Sequence, residues 1–283
     1  MGKTNKIKGE LDDVAELASL IHVLKDVASN KFLMLANRKD RFARFGESFV
    51  EFFHMISLSR VQHPLVSNDN PVTAIVVITS EAGFMVDLNT RVIRAALNEQ
   101  VQYPNAVLIA VGKKGAAKLA VPGRTMKVFE NIEATGLYHM AIKIRDYLVN
   151  EVAAGRIGRV IAVYPWSKSF MVQKPRVSKL LPCDELLTKQ TDFVNAIERV
   201  IEESDPVEVI SHLANMWVAC RVYEMLHDTT ISEAAAQSQQ LEGNLQKMQK
   251  EKKGIQLVFS KARKGDIDKS MREVFTSRLM TRR

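Results

Sequence analysis

Cysteine is nearly missing from this sequence: Cys183 and Cys220 are the only two among 283 residues. Two thiols are too few for a disulfide framework or a cysteine-based zinc site. Long apolar runs are missing as well. Stretches such as Ile75–Ile78 and Val107–Val111 fall far short of the roughly 20 residues that a membrane-spanning helix requires. The opening Met1-Gly2-Lys3-Thr4-Asn5-Lys6 is basic, with no apolar stretch or cleavage site behind it, and does not read as a signal peptide. Neither charge dominates, with 40 Lys+Arg against 32 Asp+Glu and a net charge of +8. A 46% hydrophobic and 25% charged composition is that of an ordinary globular chain and excludes general disorder. The expectation is a soluble, reduced, intracellular protein of one or two domains.

Proline is absent from both ends. All eight prolines lie between Pro64 and Pro206, which leaves arms of 63 and 77 residues without one. Proline inside a helix costs about 3 kcal/mol, so such arms permit long helices. In the first arm Leu17, Leu20, Leu24, Val27 and Met34 recur at helical spacing. Leu11, Val14, Ala18, Ile21 and Ala28 form a second set beside them, and Phe42, Phe45, Phe49, Phe52, Phe53 and Ile56 continue the pattern. In the last arm Leu241, Leu245, Met248, Ile255, Phe259 and Ala262 step as a heptad seam interrupted by Lys252. The phase then slips to Ile267, Met271 and Val274, as a stutter produces. Gly243, Gly254 and Gly265 are spaced by 11. They are either tolerated helix glycines, at about 1 kcal/mol each, or points of close helix–helix approach. A helix of about 70 residues is roughly 105 Å long and needs a partner, and the first arm running antiparallel is the obvious one.

Between the arms, strand and helix signals alternate. Val72–Ile78, Ala106–Val111 and Arg159–Tyr164 read as buried strands, and Leu88–Val101, Ala134–Val152 and Asp192–Glu202 as helices. That order points to a mostly parallel, Rossmann-like α/β sheet. The organisation is therefore a stalk helix over 1–63, an α/β head over 64–206, and a second stalk helix over 207–283 that pairs with the first.

Catalytic signatures are scarce. No G-x-G-x-x-G occurs, and Gly2-Lys3-Thr4 has no strand before it, so no phosphate-binding loop is expected there. Gly112-Lys113-Lys114-Gly115 follows a strand but lacks a nucleotide loop's spacing and reads as a basic turn. The six histidines, His22, His54, His63, His139, His212 and His227, never stand at metal-pair spacing. Glu198, Glu202 and Glu203 with Arg199 read as a solvated face, and Ser80-Glu81 as a loop. The charge is spread as +2, +2 and +4 over the first arm, the middle and the last arm. Lysines at 247, 250, 252 and 253 and arginines at 278, 282 and 283 form local basic patches. They would attract nucleic acid or an acidic protein partner alike, and no aromatic-interleaved basic sheet or recognition-helix pattern favours nucleic acid. The chain thus reads as non-catalytic, with no metal or cofactor of its own, acting through surfaces.

Several motifs, in order, resemble those of a known family. Ser232-Glu233 precedes Phe259-Ser260-Lys261-Ala262-Arg263 by 25 residues, similar to an S-E…Y-N-K-A-R pair. Pro175 to Pro182 resembles P-x-x-x-x-L-L-P, and Thr79-Ser80-Glu81-Ala82-Gly83-Phe84-Met85-Val86-Asp87-Leu88-Asn89 resembles an S-D-x-G-L-C-G-x-x-N turn. Val27-Ala28-Ser29-Asn30-Lys31 is similar to V-A-A-A-K. Together they resemble the gamma subunit, or central rotor shaft, of F-type ATP synthases over residues 10 to 276.

The resemblance implies an antiparallel coiled coil turning inside a ring of three alpha and three beta subunits. It also implies an α/β head against epsilon and the c ring, one copy per complex, and ATP, ADP and magnesium on the partners. Ring contacts would fall on His22, Lys25, Asp26, Lys261, Arg263, Lys264 and Asp268, and the foot on Val222-Tyr223-Glu224. The implied place is the cytoplasmic face of a bacterial membrane, peripherally bound, or an organellar inner membrane. Departures from the family pattern stand at Asp26, Val86, Lys264, the stretch Ile267-Asp268-Lys269-Ser270-Met271 and the Arg282-Arg283 end. They leave open a specialised rotary ATPase with a replacement membrane module, and a non-rotating coiled-coil scaffold.

Overall fold

The computed structural model describes residues 2–37, 62–183 apart from Phe84, Val86, 121–125 and Ala134, and 204–280. The aromatic stripe from Phe42 to Ile56, the helix expected over Asp192–Glu202, and Arg282-Arg283 lie outside the described residues. Among the described residues ten elements follow in order: α1 (Gly2–Ala36), β1 (Thr73–Ile78), α2 (Leu88–Gln102), β2 (Val107–Val111), α3 (Lys113–Leu119), β3 (Lys127–Phe129), α4 (Leu137–Ala153), β4 (Arg159–Ser169), β5 (Val172–Leu181) and α5 (Pro206–Met280). They build two compact units, one of Met1–Ser29 with Gln237–Arg283 and one of Asn30–Ala236.

The larger unit is a five-stranded sheet in the order β3-β2-β1-β4-β5. β1 pairs in parallel with both β2 and β4, β2 pairs in parallel with β3, and β4–β5 is antiparallel. Sheet, helices and parallel order are those expected of a Rossmann-like domain. Every residue of β1 is buried, because each face of a parallel sheet is covered by helices. Alternate residues of β1 accordingly enter different cores. Ala74, Val76 and Ile78 pack with Ile144 and Leu148 of α4 and with Val218, Val222 and Met225 of α5. Ile75 and Val77 pack with Val92 and Ala96 of α2 and Ala116 of α3.

Four elements differ from the sequence reading. β4 runs on past Tyr164 to Ser169 and folds back as β5, with Pro165 opposite Pro175. A proline on a strand is tolerated where no ladder hydrogen bond is required of its nitrogen, so the proline-rich stretch from Pro175 to Pro182 hid a strand. β3 is only three residues long, too short for periodicity to register. The Gly112–Gly115 segment opens helix α3. Gly112 has φ +95°, and a side chain there would put its Cβ 2.2 Å from the Thr79 carbonyl oxygen, so only glycine fits. Thr79 is held by this turn, its Oγ1 accepting the Gly115 N–H at 2.8 Å.

α5 spans 75 residues, roughly 110 Å at 1.5 Å per residue, with Pro206 at its first position, where its missing N–H costs nothing. Its part in the larger unit buries Ile210, Ala214, Val218, Val222, Met225 and Leu226. Its part in the smaller unit runs antiparallel to α1: Thr4 Oγ1 donates to Asp266 Oδ2 at 2.6 Å, Lys25 Nζ to Glu242 Oε2 at 3.2 Å, and the Ser29 and Ser238 hydroxyls meet at 2.8 Å. The heptad seam of α5 is as expected, with Leu245 buried and Leu241, Met248, Ile255, Phe259 and Ala262 half-buried.

The matching face of α1 is the second apolar set. Leu11, Val14, Ala18 and Ile21 are half-buried and Ala28 is buried. The larger residues Leu17, Leu20, Leu24 and Val27 are exposed, Leu20 by 62%. The three spaced glycines are also outside the seam. A Cβ on Gly243, Gly254 or Gly265 would meet nothing within 4 Å, so close helix–helix approach between α1 and α5 is not their role.

Candidate functional site

Exposed apolar side chains are the first feature of the two-helix unit. Along α1, Leu17, Leu20, Val23, Leu24 and Val27 face solvent. On α5, Leu257, Val258, Ile267, Met271, Val274 and Phe275 do the same. The pairing of Thr4 with Asp266 leaves the α5 residues after the register of Gly2 without a described α1 residue beside them. Ile267, Met271, Val274 and Phe275, together with Arg263, Asp266 and Ser270, line one apolar face. Contiguous exposed apolar surface of this kind marks a binding face.

The polar residues assigned to ring contact fall on the same unit in two groups. On α1, His22 Nδ1 lies 3.1 Å from Asp26 Oδ2, both side chains being exposed. Lys25 lies 3.8 Å from Asp26 and 3.2 Å from Glu242 on α5. Lys25 is therefore a clasp between the two helices as well as the centre of a charged triad. Hydrogen bonds from Gln246 and from Lys25 hold the Glu242 carboxyl below its ordinary range. On α5, Lys261, Arg263, Lys264 and Asp268 are all exposed. The register brings Asp266 and its neighbours to the first turns of α1, far along the helix from His22, so the two groups form separate patches.

Tyr223 and Glu224 lie on α5 within the larger unit, both half-buried. The Tyr223 ring sits 6.4 Å from that of Tyr138 on α4 and 6.3 Å from His227. Glu224 pairs with Arg221, whose guanidinium lies over Trp217 and reaches the Ser178 hydroxyl of β5 at 3.4 Å. This is an aromatic and charged patch with Tyr138 exposed at its rim.

The turn after β1 is held from within. Ser80 N–H donates to Asn89 Oδ1 at 3.1 Å and Asn89 Nδ2 donates back to Ser80 Oγ at 2.7 Å. The following Glu81 accepts the Ile132 N–H at 3.2 Å and lies 3.9 Å from Lys113. Beside it opens a cavity of about 60 Å³ lined by Lys31, Thr79, Glu81, Thr229, Thr230 and Glu233 among apolar neighbours. Burial pushes the Glu233 carboxyl up to about 7, against the pull of Lys31 and with a further push from Glu81. In the sequence, Glu233 and Lys31 stood out only as motif letters. The five polar residues at 227–230 and 232, all buried in α5, were the signal that this stretch is more than a seam.

Among the described residues no group of three His, Cys, Asp or Glu is placed to hold a metal ion. No described helix is long and apolar enough to cross a membrane.

The sequence model of the ATP synthase family matches residues 3–278. This chain belongs to the ATP synthase gamma family. Relatives cover it from end to end. The ATP synthase gamma chain of Lachnoclostridium phytofermentans is 22% identical over 284 residues, which is 97% of each chain. That of Cupriavidus metallidurans is 26% identical, covering 97% of this chain and 98% of its own. Among solved structures, the central stalk and c ring of the Tetrahymena thermophila mitochondrial ATP synthase aligns with a TM-score of 0.62 at 19% identity, over 80% of this chain and 99% of that one. The Euglena gracilis mitochondrial ATP synthase rotor gives 0.61 at 17%, over 94% and 99%. The fold of this gamma-family chain is that of an ATP synthase central stalk.

Proposed function

We propose that the chain is the central stalk of an F-type ATP synthase, turning as one copy inside a ring of three alpha and three beta subunits. The observation that carries this reading is the family match over residues 3–278, on a two-helix unit that leaves Leu17, Leu20 and Leu24 outside. A shaft that turns within a sleeve must hold itself together through a narrow inner seam and present an uneven outer face. The seam of Ile21, Ala28, Leu245 and Met248, with its three polar clasps, does the first, and the exposed face of α1 and α5 does the second.

In this reading the chain carries no catalytic residue and no nucleotide. ATP, ADP and magnesium sit on the partner subunits, and rotation of the asymmetric shaft takes their three sites through different states in turn. His22, Lys25 and Asp26 form one electrostatic contact with the ring, and Lys261, Arg263, Lys264 and Asp268 a second. Tyr223 and Glu224 belong to the foot that meets epsilon and the c ring. The complex sits peripherally on a membrane, on its cytoplasmic face if the host is a bacterium. The relatives favour this ordinary stalk over a specialised or non-rotating descendant.

Native mass spectrometry of the complex purified through a tag on this chain tests the reading. One copy bound with three each of two nucleotide-binding subunits is the expected result. A homo-oligomer or a lone monomer overturns it.

A further inference from the structure

The cavity beside β1 brings together groups that ordinary packing keeps apart. Lys31 enters from α1, Glu233 with Thr229 and Thr230 from α5, and Thr79 with Glu81 from the end of β1. The Thr229 and Thr230 hydroxyls donate to the Met225 and Leu226 carbonyls, and Thr79 Oγ1 donates to the Val111 carbonyl. Their remaining lone pairs are therefore acceptors, as are the carboxylates, and Lys31 is the one charged donor among the described residues of the lining. A volume of about 60 Å³ exceeds the roughly 15 Å³ that one water requires, and the lining supplies polar partners for it.

We propose that this chamber is a proton-operated latch in the α/β unit: with Glu233 protonated, α1, α5 and the end of β1 pack closely, and release of the proton to chamber water loosens them. The reason is the cost of charge. A carboxylic acid is at home in a small half-dry chamber, whereas a carboxylate must be hydrated or paired. The described groups facing Glu233 are few. From α1 comes Lys31, which favours the charged form; from the loop after β1 comes Glu81, which opposes it and is itself offset by Lys113 at 3.9 Å. The loop before α4 contributes only Ile132, α4 only Leu137, β1 only Ile78 with Thr79 just after it, and α5 itself adds Leu226, Thr229 and Thr230, none of them charged. Burial pushes the Glu233 carboxyl up to about 7, so the latch works near neutral pH. The inference stands on the larger unit alone and does not depend on the rotor reading.

The test uses the full chain with ¹³C-carboxyl-labelled glutamate, titrated by NMR, and amide hydrogen exchange corrected for intrinsic rates. One glutamate carboxyl is expected to titrate near neutral pH and to vanish in Glu233→Gln. Lys31→Met should raise its midpoint by about half a pH unit or more, because an attracting charge is lost, while Lys31→Arg should restore it. Protection of residues 30–36 and 229–235 should fall between about pH 6 and pH 8 in the native chain and stay level in Glu233→Gln. The proposal is overturned if every glutamate titrates below about pH 5.5, if Lys31→Met leaves the midpoint in place, or if protection in the native chain does not change. Should Glu233→Gln fail to fold, the Lys31 pair still decides the matter through the midpoint.

Discussion

One helix lives in two physical regimes. Where α5 crosses the α/β unit, a buried face from Ile210 to Leu226 joins the core under the sheet. Beyond Gln237 the same helix offers a narrow strip, in which Leu245 is the apolar residue most nearly sealed from water. Hydrophobic stabilisation follows the area taken from water, about 25 cal/mol per Å². The larger unit therefore supplies its own stability. The smaller one has little to spare and keeps apolar surface for something else. A chain that leaves Leu17, Leu20 and Leu24 outside while Val14, Ala18, Ile21 and Ala28 face inward keeps a second apolar face that its own fold does not cover.

The contrast can be broken most severely from the larger unit. Leu148→Ala, at a fully buried position of α4, should cost about 2–5 kcal/mol in denaturant unfolding. Leu245→Ala should fall near the low end of that range or below it, because the thin unit collapses more readily around the gap. Equal losses at the two sites would refute the contrast.

Next in size is the pH dependence of the larger unit. Glu233 binds its proton more tightly when folded, its pKa standing at about 7 against an ordinary 4.5. Its contribution is therefore complete at acid pH and is lost as pH rises from about 4.5 through 7. The loss should approach 3 kcal/mol, since each pH unit between the two values is worth about 1.4 kcal/mol, and Glu233→Gln should abolish it. Denaturant midpoints of both proteins across about pH 5–8 measure the difference.

Gly254→Ala tests the outer face of the smaller unit. With nothing within 4 Å of the new methyl group, the isolated chain should gain about 1 kcal/mol from helix propensity. A fall in assembly or turnover of the complex despite that gain would assign the glycine stripe to close passage of a partner surface.

Smallest in stability are Leu20→Ser and Leu24→Ser. Each should shift unfolding of the free chain by less than about 0.5 kcal/mol, yet weaken its capture by the alpha and beta subunits in a reconstitution assay. A large stability loss would mean that α1 packs with its other face inward.

Much of the fold is legible in the residues alone. The absence of proline marks where long helices can form, α1 being described to Ala36, well before Pro64, and Pro206 opens α5 at its first residue. The β-branched run Thr73–Ile78 lies in the middle of the sheet, because only a strand covered on both faces needs apolar residues at every position. β5 stays hidden because Pro175 and the polar residues of an edge strand imitate a loop. Two apolar sets on α1 are visible as a pair, but periodicity reports only that a face exists. It does not say which of two adjacent faces meets a neighbour.

That limit separates two kinds of knowledge about this protein. The long helices, the central strands β1 and β2, the family and the antiparallel pairing follow from local spacing and from motifs taken in order, so the linear chain already contains them. Folding in three dimensions was needed to settle four other matters. The second apolar set of α1 points inward, three glycines face open space, Lys25 reaches across to Glu242, and Lys31 and Glu233 line one chamber. These facts depend on which residues distant in the chain become neighbours, and one-dimensional spacing carries no record of that.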